Sequence, residues 1–295
     1  MLYNFNLLIP YLEKIISNQD QNMKKTIFTT VLLFVMYCAN AAKIDTIQVY
    51  SAAMKKEINS CVITPDNYEK ANRNFPVIYL LHGYGGDYST WVKSFADVMK
   101  QVDKYNFIAI GVDGNYSSWY LDSPIDPAFK YETYIIRELI PFIDQTYKTD
   151  ATPAGRAITG LSMGGHGALY LSFKHQDVFG AAGSMSGGVD IRPFSEKWDL
   201  KKRLGSITDF SENWEKNTVI NMLNLIESNK LKLIIDCGVD DFFIEVNRNL
   251  HQKMLTLKIN HDYIERAGAH NRDYWDNSLN YQFFFFNNFF NTAAH

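Results

Sequence analysis

Residues 158–165 read Ile-Thr-Gly-Leu-Ser-Met-Gly-Gly. Within them Gly160-Leu161-Ser162-Met163-Gly164 has the G-x-S-x-G spacing of a serine carried on a sharp turn between a strand and a helix. Such a turn holds the serine in a strained backbone conformation, with its hydroxyl projecting into a cleft. Small residues two before and two after it let the flanking backbones pass closely. The following helix points its N-terminal N–H groups at the site, which favours a developing negative charge. Upstream, Arg156-Ala157-Ile158-Thr159 is short and apolar-leaning, as a buried strand would be. Downstream, Gly165-His166-Gly167-Ala168-Leu169 continues as a small-residue helix able to pack tightly on a sheet.

The rest of the chain supplies the sheet that such a turn requires. Residues 44–53 and 57–64 alternate apolar and polar side chains, as paired strands do. Residues 76–81, 107–112, 156–159, 179–184 and 231–236 are largely unbroken apolar runs, and 263–267 is strand-like. Such runs suit strands buried on both faces of a mostly parallel sheet. Between them, residues 88–102, 131–147, 165–175, 217–228 and 244–257 carry apolar residues at helical spacing. The run at 283–286 with Phe289 and Phe290 predicts a buried terminal helix. Strand and helix alternate, so the expected class is α/β with helices on both faces. At 295 residues and 46% hydrophobic, the chain is long enough for one sizeable α/β domain. The polar stretch 187–216 reads as an insertion forming part of a cap or pocket wall.

Composition excludes several partners. A net charge of -3 with interspersed charges gives no electrostatic case for nucleic acid. Of the three cysteines, Cys38 lies near the N-terminus. Cys61 and Cys237 read as buried small hydrophobes, without disulfide or metal-ligand spacing. No metal or organic cofactor is implied. Met23-Lys24-Lys25, an apolar run over 26–37 and Cys38-Ala39-Asn40-Ala41 form the three parts of a secretory signal. The expected organisation is therefore an upstream extension over 1–22, a signal peptide over 23–41 and one catalytic domain over 42–295. A retained N-terminal anchor is the alternative. The product would be secreted or periplasmic, with no membrane contact beyond the signal segment.

A serine hydroxyl needs a histidine to take its proton and a carboxylate to orient that histidine. In α/β-hydrolases the order along the chain is serine, acid, histidine, with acid and base in loops at the carboxyl edge of the sheet. His270, in the loop Gly268-Ala269-His270-Asn271 after the last strand-like run, is the preferred base. His261 precedes that run and falls at the wrong edge. The acid belongs in Cys237-Gly238-Val239-Asp240-Asp241, where Asp240 and Asp241 both lie in the loop and either could cap the next helix. An oxyanion hole needs two backbone N–H groups. Met163 follows the nucleophile, and Tyr84 sits in the glycine-rich loop His82-Gly83-Tyr84-Gly85-Gly86. His82 reads as a structural hydrogen-bonding residue. Trp119, Tyr120 and Trp275, in an aromatic group with Tyr84, Trp91 and Tyr274, are candidate substrate-binding walls.

Taken in order, His82-Gly83-Tyr84-Gly85-Gly86, Gly160-Leu161-Ser162-Met163-Gly164-Gly165, Gly238-Val239-Asp240-Asp241 and Gly268-Ala269-His270 resemble the esterase family of α/β-hydrolases. That family includes esterase D, the antigen 85 mycolyltransferases, and the feruloyl and acetyl-xylan esterases of carbohydrate esterase family one. The resemblance covers roughly residues 43–290. It implies an α/β-hydrolase fold with Ser162 as nucleophile, Asp241 as acid and His270 as base. It also places 113–124 beside the pocket. The signal segment and Asp273-Tyr274-Trp275-Asp276 are most similar to secreted esterases of polysaccharide side chains. The implied activity is hydrolysis of feruloyl or acetyl esters of carbohydrates, or of small esters, through an acyl-enzyme. An acyltransferase using the same acyl-enzyme, or a catalytically silent carbohydrate-binding protein, is the alternative.

Overall fold

The apolar runs become the inner strands of one eight-stranded sheet. The computed structural model describes residues 42–293, apart from 96 and 229. The expected extension over 1–22 and signal over 23–41 lie outside the described residues. β1 (Lys43–Ser51) and β2 (Lys56–Thr64) form an antiparallel hairpin, with Lys43 opposite Thr64 and Ser51 opposite Lys56. The remaining strands are β3 (Val77–Leu81), β4 (Ile108–Val112), β5 (Arg156–Gly160), β6 (Ala181–Met185), β7 (Lys232–Gly238) and β8 (Asp262–Arg266). Their spatial order is β1-β2-β4-β3-β5-β6-β7-β8. β2 runs antiparallel to β4, and every pair from β4 to β8 is parallel. This is the α/β-hydrolase arrangement that the sequence motifs imply.

Alternation along each inner strand divides the apolar residues between two cores. Val77, Tyr79 and Leu81 face one, and Ile78 and Leu80 face the other. On the second face lie α1 (Thr90–Ser94) and α2 (Val98–Tyr105). On the first lies α3, which opens over Tyr131–Thr133, winds as a π helix over Tyr134–Leu139 and closes over Ile140–Thr146. The same face carries α4 (Met163–Lys174), which is buried from Met163 to Phe173. α5 (Leu200–Leu204) and α6 (Ser211–Lys216) belong to the polar insertion, and α7 (Ile244–Thr256) returns to the first face. α8 (Arg272–Ala293) closes the second face with Leu279, Phe283 and Phe286, while Phe284 is exposed. The terminal helix is thus amphipathic rather than wholly buried.

Two helical expectations need correction. Residues 88–102 do not form one helix. Phe95 turns to an extended conformation and buries its ring, so α1 ends there and α2 begins afresh. Residues 217–228 form two short 3-10 turns, Val219–Asn221 and Leu223–Leu225. There the Ile220 N–H donates to the Val189 carbonyl at 3.0 Å instead of to its own turn. Cys61 and Cys237 are free and buried, and burial pushes the Cys61 thiol up to about 11. Among the described residues no helix is long and apolar enough to cross a membrane.

Because β3 to β8 are parallel, their carboxyl ends share one edge. Leu81 is level with both Val112 and Gly160, and Gly238 with Arg266. The loops leaving that edge build the candidate site.

Candidate active site

Ser162 sits between β5 and α4 with φ 57° and ψ −116°. A non-glycine residue in that region stores about 1–3 kcal/mol of strain, which the surrounding structure must hold. The hold is visible in the backbone. The Ser162 N–H donates to Met185 O at 2.9 Å, and Ser162 O accepts from His166 N–H at 3.1 Å. A Cβ at Gly160 would stand 2.5 Å from the carbonyl carbon of Gly164 and 2.6 Å from Leu81 O. Only a hydrogen fits where these backbones cross.

The loops after β7 and β8 bring the next two groups together. The Val239 N–H donates to Arg266 O and the Asp240 N–H to Gly268 O, both at 2.9 Å, so the two loops are fixed to each other. His270 then lies with Nε2 at 2.9 Å from Ser162 Oγ. Its Nδ1 lies 3.0 and 2.9 Å from the two carboxylate oxygens of Asp241. A carboxylate only accepts, so the network assigns the proton to Nδ1 and leaves Nε2 to accept from the serine hydroxyl. The Asp241 side chain is fully buried and accepts also from the Phe243 N–H at 2.8 Å. Asp240, one residue earlier, points to solvent. His261 lies at the opposite edge and is paired with His251 at 2.7 Å.

Gly83 brings the β3 loop against the turn, since a Cβ there would be 3.6 Å from Ser162 Cβ. Neither the Tyr84 nor the Met163 N–H has a backbone acceptor among the described residues. Tyr84 lines the same cleft as Ser162, and Met163 directly follows the serine at the start of α4. His82 secures this loop, as expected. Its Nδ1 donates to Gly83 O at 2.7 Å, while Nε2 accepts from the Gly114 N–H at 2.9 Å.

The cleft above Ser162 has a volume of about 460 Å³. Trp275 lines it, edge-on to His270 at 4.9 Å. The expected walls Trp119 and Tyr120 do not. Both are buried, at 1% and 0% exposure, because their loop takes positive φ at Asn115, Ser117, Trp119 and Tyr120 and folds inward. Tyr120 donates its hydroxyl to His82 O at 3.0 Å and so braces the loop that carries Tyr84. Trp119 lies beneath Trp198, donating Nε1 to its carbonyl at 3.4 Å. Trp91 and Tyr274 are likewise core residues.

Two aromatic walls escaped the sequence reading. Trp198, from the polar insertion, stacks on Phe242 at 5.5 Å, and Phe242 lies 4.1 Å from the His270 ring. Both had a signal. Residues 187–216 read as a pocket wall, and Phe242 directly follows Asp241. Among the described residues no group of three or more His, Cys, Asp or Glu side chains gathers as a metal site.

Comparison with known proteins agrees with this architecture. Residues 51–286 match the family model described as "Putative esterase". Esterase MT1326 of Mycobacterium tuberculosis is 35% identical over 134 residues, 44% of this chain and 29% of that protein. The chain thus spans under a third of that relative's length. An acetyl esterase of Caldicellulosiruptor saccharolyticus is 26% identical over 78% of this chain and 92% of its own. A solved ferulic acid esterase superposes with a TM-score of 0.73 at 24% identity, covering 85% of this chain and 99% of that one.

Proposed function

The chain belongs to the esterase family of α/β-hydrolases, and on that premise we propose that it is an exported serine esterase that removes acyl groups from carbohydrates. The observation that carries this reading is the hydrogen-bonded chain from Ser162 through His270 to Asp241 at the floor of an aromatic cleft. Ser162 Oγ attacks the ester carbonyl while His270 Nε2 takes its proton. Asp241 orients the imidazole and stabilises its charged form. The Tyr84 and Met163 N–H groups receive the developing oxyanion. The intermediate collapses, the bond to the sugar oxygen breaks, and His270 returns the proton to the leaving hydroxyl. Water, deprotonated by the same nitrogen, attacks the acyl-enzyme and releases acid and free serine.

Trp198, Phe242 and Trp275 favour a planar acyl group or a sugar ring against the serine. The names of the acetyl and ferulic acid esterase relatives point the same way. The tripartite segment over 23–41 favours export, with a mature chain beginning near Ala42.

Turnover of methyl ferulate, acetylated xylan and short p-nitrophenyl esters tests the reading. Ser162→Ala should reduce turnover by roughly a thousandfold or more and abolish labelling by a fluorophosphonate. Asp241→Asn should cost less than the serine change, since nucleophile and oxyanion donors remain, and solvent-exposed Asp240→Asn should be nearly silent. Near-wild-type turnover in Ser162→Ala would refute the serine mechanism. Loss confined to Asp240→Asn would move the acid to the neighbouring residue.

A further inference from the structure

Arg272 is the first residue of α8, two positions after His270, and it is exposed on the lining of the catalytic cleft. The site's other lining side chains are neutral or aromatic apart from His270 itself. Most other arginines of the protein are tied to carboxylates, while Arg73 lies over the Phe75 ring and Arg137 is exposed away from the cleft. Arg156 pairs with Asp144, Arg203 with Asp126, Arg248 with Glu265 and Arg266 with Asp236. Arg272 makes no ion pair and no hydrogen bond among the described residues, although Asp273 and Asp276 stand on the same helix. The acids nearer the cleft are occupied, since Asp241 holds His270 and Asp199 binds Lys202 at 3.1 Å.

Facing the same cleft are Thr90 and Ser94, one turn apart on α1. Thr90 Oγ1 accepts from the Asp87 N–H at 3.0 Å, so its own hydrogen remains free to be donated. A guanidinium fork with hydroxyl donors is a carboxylate-recognition set. Arg272 is exposed to solvent, so an ion pair formed there is screened by salt.

Resting on the esterase reading, we propose that the cleft selects esters bearing a carboxylate close to the scissile bond, with Arg272 as the specificity residue. The carboxylate belongs either to the acyl chain, as in a dicarboxylic half-ester, or to the alcohol, as in an acylated uronic acid. The ester chemistry at Ser162 is unchanged, and Arg272 only binds.

Two substrate pairs separate these sources. The first is the p-nitrophenyl half-ester of succinate against p-nitrophenyl valerate. The second is O-acetylated galacturonic acid against O-acetylated galactose. The expected result is a higher kcat/KM for the anionic member of one pair, weakening in high salt. The pair that shows it identifies the side carrying the carboxylate. Arg272→Gln should lower that anionic-to-neutral ratio about tenfold, the size of one charge-assisted contact, and Arg272→Lys should restore part of it. No anionic preference in either pair, or a ratio untouched by Arg272→Gln, overturns the inference while leaving neutral-ester hydrolysis as support for the esterase reading. Failure to hydrolyse any of the four esters would sink both.

Discussion

His166 lies one turn into the helix that Ser162 opens, wholly buried between Trp119 and Tyr170. Its Nδ1 donates to Gly188 O at 3.1 Å, and Gly188 N–H reaches Ser162 O at 3.4 Å, so the ring braces the serine turn from beneath. Burial pushes its pKa down from 6.5 to about 4. Between those values the unfolded chain binds a proton that the folded chain refuses. Protonation therefore favours unfolding, and stability falls as pH drops from 6.5 towards 4, by at most about 1.4 kcal/mol per pH unit. Urea unfolding of the wild type and His166→Gln across that window checks this, and the variant should show the shallower slope. Identical slopes would mean that His166 is not held neutral. At this scale the residues that meet in the Ser162–His270–Asp241 hydrogen-bonded chain were the legible ones. Ser162 was marked by its glycine spacing and His270 by its place after the last strand. Trp119 and Tyr120 were misplaced because aromatic character says nothing about direction. Their inward turn depends on left-handed backbone at four non-glycine positions.

Among the elements, the crossing of β3, β5 and α4 is the least forgiving. Gly160 and Gly164 let the start of α4 pass over the ends of both strands. Gly160→Ala puts a methyl group against two backbone segments, neither of which is the free end of a flexible side chain. Overpacking of this kind costs about 1–3 kcal/mol. A shift of the turn by an ångström costs about a hundredfold in rate. Thermal unfolding together with kcat on a p-nitrophenyl ester measures both, and unchanged values would show that the crossing tolerates a side chain. The strands were readable because burial on both faces demands uninterrupted apolar runs. The helices were less so. Apolar spacing over 217–228 suggested one, but Ile220 N–H is captured by the insertion loop at Val189, a contact between distant segments that periodicity does not encode. The same insertion supplies Trp198, so its role as a pocket wall was visible while the residue that performs it was not.

Over the whole molecule, the alternation of strand and helix was enough to forecast a mostly parallel sheet covered on both sides. The spatial order β1-β2-β4-β3-β5-β6-β7-β8 follows from chain connectivity, not from any local pattern. The first described residue is tied into the sheet domain by its backbone. Ala42 is buried, and its N–H donates at 2.9 Å to Asp103 Oδ2, whose second oxygen accepts from the Asp66 N–H at 2.8 Å. Ala42 also follows Ala39-Asn40-Ala41, the expected cleavage signal. Cleavage after Ala41 would turn this neutral donor into an ammonium, charged at neutral pH, and the hydrogen bond into a charge-assisted ion pair. A chain beginning at Ala42 should therefore be more stable than the same chain acetylated at Ala42, by about 0.5–1 kcal/mol for a partly exposed pair. The difference should vanish in Asp103→Asn, where the carboxylate is gone. A double-mutant cycle on the two N-termini and the two side chains isolates the coupling from whatever else the Asn costs. N-terminal sequencing from the native host is the companion test. A product beginning at Ala42 with a measurable coupling would tie processing to stability, whereas one retaining Met1 or Met23 would refute cleavage at this site.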